Sequence, residues 1–127
     1  MDIRTAHSDA APKAFGPYSQ AIVAGDLIFC SGAIPIDPAT DRFVEGDIAV
    51  HTVRVLDNLA LVLAAAGSDL AHVVKTTVFM ADLDEFTAMN EMYATRFGQH
   101  RPARSTFGVS KLPRGARIEI ECVAVKI

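Results

Sequence analysis

At 127 residues the chain is long enough to bury one core and too short for two, so a single domain over 1–127 is expected. Hydrophobic residues make up 50% and charged residues 21%, an apolar surplus that fits either a well-filled core or a face covered by another subunit. The net charge is −3 and the lysines and arginines are scattered singly, which disfavours a phosphate-binding surface, so no nucleic-acid partner is expected.

Residues 2–6 suit a short strand, followed by an irregular segment over 10–17. Residues 20–24 and 27–31 are two apolar runs around Gly25-Asp26, a pair whose glycine supplies the positive φ of a two-residue hairpin. Residues 35–41 read as a loop. Asp47 then caps a helix in which Ala49, Val53, Leu56, Leu59, Ala60 and Leu63 recur at three- and four-residue steps. His51, Arg54 and Asn58 form its polar stripe, and Gly67 ends it. The β-branched run 72–81 predicts a central strand. Asp82 with Glu85 three residues on reads as a capping box for a second helix. Its buried stripe is Phe86, Met89, Tyr93 and Phe97, and Gly98 stops it. The last quarter gives two strands, 102–109 and 117–125, parted by the turn Leu112-Pro113-Arg114-Gly115.

The order is therefore β, β-hairpin, helix, strand, helix, strand, strand, with antiparallel hairpins expected at both ends. It predicts an α+β sandwich, one mixed β-sheet with two helices packed on one face. No third helix remains for the other face, and another copy of the chain is the simplest cover.

The N-terminus, Met1-Asp2-Ile3-Arg4, lacks the cationic and apolar regions of a signal peptide. The longest apolar run, 59–67, is far shorter than the roughly 20 residues that span a bilayer. A cytoplasmic protein without a membrane partner is expected. Cys30 and Cys122 sit in apolar strand patterns and read as buried free thiols. His7, His51, His72 and His100 lie far apart without a paired acidic ligand, so no metal site is expected.

Chemistry concentrates in the last two strands. Alternation puts Arg104 on one face with Thr106, and Glu119 on one face with Arg117 and Glu121. A fixed guanidinium grips a small carboxylate through two parallel hydrogen bonds, and a nearby carboxylate moves protons or polarises water. The strand pattern does not choose between Glu119 and Glu121. Tyr18, after Gly16-Pro17, sits on a stiff loop tip and reads as a lid, an interface anchor or a core plug. Ser31 ends a strand, and Asn90 falls on the buried side of the second helix, where its amide needs partners. A serine elbow and a glycine-rich phosphate loop are both absent.

Taken in order, several segments resemble the RidA/YjgF family of enamine/imine deaminases. They are Ala11-Pro12-Lys13-Ala14-Phe15-Gly16-Pro17-Tyr18-Ser19-Gln20-Ala21, Phe29-Cys30-Ser31-Gly32, Val74-Lys75-Thr76-Thr77-Val78-Phe79, Met89-Asn90-Glu91-Met92-Tyr93, Pro102-Ala103-Arg104-Ser105-Thr106 and Ile118-Glu119-Ile120-Glu121. The resemblance implies a chorismate-mutase-like fold and a homotrimer with three clefts between subunits. It also implies cofactor-free hydrolysis of imines such as 2-iminopropanoate, and of enamines such as 2-aminoacrylate, to a 2-keto acid and ammonia. Carried over by position, Arg104 clamps the substrate carboxylate and Glu119, rather than Glu121, activates the water. Tyr18, Ser31 and Asn90 match cleft positions. Thr106 stands where many members have cysteine, keeping only the backbone carbonyl for the imine nitrogen, and Ala33 replaces a frequent glutamine. Competing expectations are a 2-aminomuconate-type deaminase, an RNA-acting member (endoribonuclease or translation inhibitor) and a non-catalytic, chaperone-like binder.

Overall fold

The computed structural model describes residues 1–127. Ile3–Ala6 (β1), Ala21–Ala24 (β2) and Leu27–Ala33 (β3) pair antiparallel in succession. The β2–β3 hairpin turns at Gly25, whose φ of 61° is left-handed, as the Gly-Asp signal predicts. The expected loop over 35–41 instead includes a small ladder, Ile36–Asp37 (β4) against Arg42–Phe43 (β5).

The helix Ile48–Ala66 (α1) starts at Asp47, whose carboxylate accepts the Val50 amide, and ends at Gly67 with φ 89°. Val73–Met80 (β6), Phe86–Phe97 (α2), Ala103–Gly108 (β7) and Ile118–Val125 (β8) complete the chain. The six-stranded sheet runs β1-β2-β3-β8-β6-β7, with the helices on one face, which is the predicted α+β sandwich.

Three further sequence expectations are corrected. The C-terminal hairpin does not form, because β6 lies between β7 and β8. Helix α2 is a crossover connection that lays β7 parallel to β6, and β8 returns antiparallel on the other side of β6. Second, the buried stripe of α1 is rotated. Ala49, Val53 and Ala60 are only partly covered, while His51 and Asn58, expected on the polar side, are buried. The Asn58 amide donates to the carbonyls of Ile34 (3.2 Å) and Ile36 (2.8 Å), fastening the segment after β3 to the helix. Third, the capping box is not made. The Asp82 carboxylate accepts the Asp84 amide in a 3₁₀ turn over Leu83–Glu85, and Glu85 pairs with Arg117 instead.

The core lies between sheet and helices. Ile118, Ile120, Cys122 and Ala124 of β8 and Val73, Thr76, Val78 and Met80 of β6 point toward Leu56, Leu59, Leu63, Met89 and Tyr93. Helix α1 is long and apolar enough to cross a membrane by composition, yet it packs on the sheet as the core helix. Cys30 and Cys122 face each other across β3 and β8 as buried free thiols, and the Cys30 thiol together with burial pushes Cys122 up. On the opposite sheet face Leu27, Phe29 and Phe107 remain 39%, 45% and 52% exposed, an apolar surface without an intramolecular cover.

Candidate active site

The predicted residues fall into two groups. The first surrounds a cavity of about 650 Å³ between the 11–18 loop, the end of β3 and the turn Pro113–Gly115. Glu119 enters it from β8 because its neighbours Ile118 and Ile120 take the core face. The pairing of β3 with β8 slips between Cys30 and Ala33, carrying Ser31 and Gly32 past Glu119. A Cβ placed on Gly32 would lie 2.7 Å from the Glu119 carboxyl carbon, so the bare glycine backbone is what admits the carboxyl there. Burial, and secondarily the charge of Glu121, raise the Glu119 carboxyl above the ordinary glutamate value of 4.5. Glu121 shares the lining but is exposed.

The loop opposite is tied at both ends. Ser31 donates its hydroxyl to the Ser19 carbonyl at 2.6 Å, and buried Gln20 donates to the carbonyls of Ser8 and Pro12. Tyr18, half-exposed at the cavity, accepts the Phe15 amide on its phenol oxygen at 3.2 Å. The serine therefore positions the loop, and the tyrosine, exposed at the cavity, is not a core plug.

The second group lies on the helix side of edge strand β7. Arg104 is in register with Thr76, and Thr106 with Val78, both of which face the helices. Arg104 Nη1 donates to Asn90 Oδ1 at 2.8 Å, which gives the Asn90 amide the partner it needs. The guanidinium lies 4.7 Å from the Tyr93 ring centroid and 5.6 Å from that of Phe86. Tyr93 is itself fixed by a 2.7 Å hydrogen bond between its phenol and the Thr76 hydroxyl. The result is a planar cation held at a fixed angle, suited to a bidentate carboxylate.

Tyr18, Ser31 and Glu119 thus come together, as do Arg104, Asn90 and Thr106, but on opposite faces of one sheet. No group of three or more His, Cys, Asp or Glu side chains converges where a metal ion could be held. Residues 8–126 match the family model described as endoribonuclease L-PSP. The chain belongs to the RidA/YjgF family. Protein DfrA of Myxococcus xanthus is 51% identical over 127 residues, covering 98% of this chain and 97% of the relative. The human 2-iminobutanoate/2-iminopropanoate deaminase is 45% identical over 116 residues, 91% of this chain and 85% of that protein. Among solved RidA/YjgF structures, the YjgF gene product from E. coli superposes with a TM-score of 0.92 at 39% identity, covering 98% and 99% of the two chains.

Sequence pattern alone missed two contributors. Arg114 lines the cavity across from the loop, stacked on Phe15, and only its place in a Pro-Arg-Gly turn hinted at an unusual backbone. Tyr93, read as a core residue, also forms the floor beneath Arg104. Its spacing of three from Asn90 on α2, one helical turn, was the available signal.

Proposed function

We propose that this chain is a cofactor-free hydrolase of C=N bonds, converting reactive 2-imino and 2-enamino acids of the 2-iminopropanoate and 2-aminoacrylate type to 2-keto acids and ammonia. The observation that carries the reading is the Glu119 carboxyl, half-buried against Gly32 in a cavity and holding its proton above the usual glutamate range. Such a group suits a reaction that first takes a proton from water and later returns one to a leaving amine. Water adds to the carbon of the protonated imine while Glu119 accepts the water's proton. Glu119 returns that proton to the carbinolamine nitrogen, the C–N bond breaks, and the hydroxyl proton leaves with ammonia as ammonium, giving the keto acid. An enamine substrate first takes a proton on its terminal carbon and joins the same path as an imine. Arg104 supplies the fork for the substrate carboxylate, and the name of the human relative supports the substrate class.

One chain brings Arg104 and Glu119 to opposite sheet faces, so a single substrate meets both only when a second copy contributes one of them. The uncovered apolar face around Phe29 and Phe107 supports such an assembly, which we assign as a homotrimer with clefts between subunits. The test is release of ammonia and keto acid from imines generated in situ from several amino acids. Release above the uncatalysed rate is expected; no acceleration for any imine would overturn the reading. The family description favours an RNA-cleaving alternative, but the cavity wall sets two carboxylates, Glu119 and Glu121, beside two cations, Lys13 and Arg114, and so is no cationic phosphate surface; RNA cleavage without imine turnover would be needed to sustain it.

A further inference from the structure

Residues 13–18 form the outer wall of the Glu119 cavity and carry Tyr18. All six are exposed, and their hydrogen bonds stay within the segment: the Phe15 amide to Tyr18 Oη and the Tyr18 amide to the Gly16 carbonyl at 2.8 Å. The anchors lie outside it, at the Pro12 and Ser19 carbonyls. The tip meets the opposite wall through one charged contact. Arg114 Cζ lies 4.5 Å from the Phe15 ring centroid and 5.8 Å from that of Phe43. The guanidinium is itself tethered, with Nη2 donating to the Asp41 carbonyl at 3.2 Å and Nη1 lying 3.8 Å from Asp41 Oδ1. Arg114 and Asp41 both hold left-handed backbone, φ 59° and 58°, a conformation disfavoured for residues with a Cβ.

We propose that Arg114 and Phe15 form a cation–π latch across the cavity mouth, and that this latch orders the Tyr18 segment and sets which substrate side chains enter. Its selectivity half rests on the deaminase reading; its mechanical half does not. A guanidinium over an aromatic face holds the loop more loosely than a hydrogen-bonded ladder would, so the wall opens and recloses without disturbing the core. In the closed state Phe15 and Arg114 narrow the entrance, favouring short imine side chains, and in the open state longer ones pass.

The mechanical half is read by hydrogen exchange of the Phe15 and Tyr18 amides, the two in the segment that are hydrogen-bonded, in Phe15→Leu, Arg114→Gln and the double variant. Each single change is expected to speed exchange by between about twofold and thirtyfold, the range of a cation–π contact. The double variant is expected to exchange no faster than the faster single, since either change opens the same latch. Unchanged exchange in the singles, or a double variant equal to their product, would overturn the latch. Selectivity is read as kcat/KM on the imines generated from alanine and from methionine. Arg114→Gln is expected to lose more in KM than in kcat on the small imine and to shift preference toward the larger one, with Arg114→Lys restoring part of both effects. An unchanged preference alongside faster exchange would overturn the selectivity role. A wild-type protein that turns over neither imine would overturn the deaminase reading and the selectivity role with it, leaving the exchange cycle to decide the latch.

Discussion

Arg104 and Glu119 differ in how the fold treats their charge. Arg104 is paired with Asn90 and laid over Tyr93, so its geometry is fixed before any ligand arrives. Arg104→Ala therefore lowers kcat/KM by about ten- to hundredfold without unfolding the protein, the span of a lost charge-assisted hydrogen bond. Arg104→Lys recovers little, since a point charge lacks the fork. Steady-state kinetics beside a circular dichroism melt check both. Glu119→Gln costs about 10²–10⁴-fold in turnover, as removal of a positioned acid–base does, while Glu121→Gln keeps most activity. Because folding raises the Glu119 pKa, its ionised form costs stability at neutral pH, and that cost is relieved as pH falls through the folded-state value. Glu119→Gln thus melts higher than wild type at neutral pH, and the gap closes in acid. The activity limb belonging to Glu119 lies above pH 4.5, and Glu121→Gln shifts it to lower pH, though burial, the larger cause, keeps it raised. Choosing Glu119 over Glu121 was beyond the strand pattern, because alternation gives both the same face. What separates them is the bare Gly32 backbone beneath Glu119, a contact between strands distant in sequence.

At the scale of elements, local signals were reliable where the backbone itself was constrained. Gly25 and Gly67 end their elements with the left-handed φ that each position requires, and Asp47 caps α1 with its own carboxylate. The signals failed where a distant segment decided. Asn58 reads as solvent-facing on a helical wheel, and nothing in α1 indicates that the Ile34 and Ile36 carbonyls will close over it. Glu85 fits a capping box locally, but Arg117 from β8 takes its carboxylate. Asn58→Ala tests that reading of α1. It strands the buried Ile36 carbonyl at roughly 1–3 kcal/mol and takes one of two donors from the Ile34 carbonyl, which keeps the Ile36 amide, and urea unfolding at fixed protein concentration should show a midpoint shifted below wild type. A shift no larger than that of an exposed-site substitution would mean water replaces the amide.

For the whole molecule, the layers and the face carrying both helices followed from element order, whereas strand adjacency did not. β7 and β8 are consecutive strands, so a hairpin was the natural reading. The crossover through α2 and the capacity of β6 to pair on both edges set the order β8-β6-β7 instead. That order sends Arg104 and Glu119 to opposite faces, so in the proposed trimer a working site takes one residue from each of two copies. Light scattering should give three times the chain mass at micromolar concentration. The most direct measurement co-refolds Arg104→Ala with Glu119→Gln, each strongly impaired alone. Sites drawing Arg104 from one variant and Glu119 from the other regain both residues, so the mixture should recover about a quarter of wild-type turnover by random assortment of subunits. A mixture no more active than its two components would contradict the shared site.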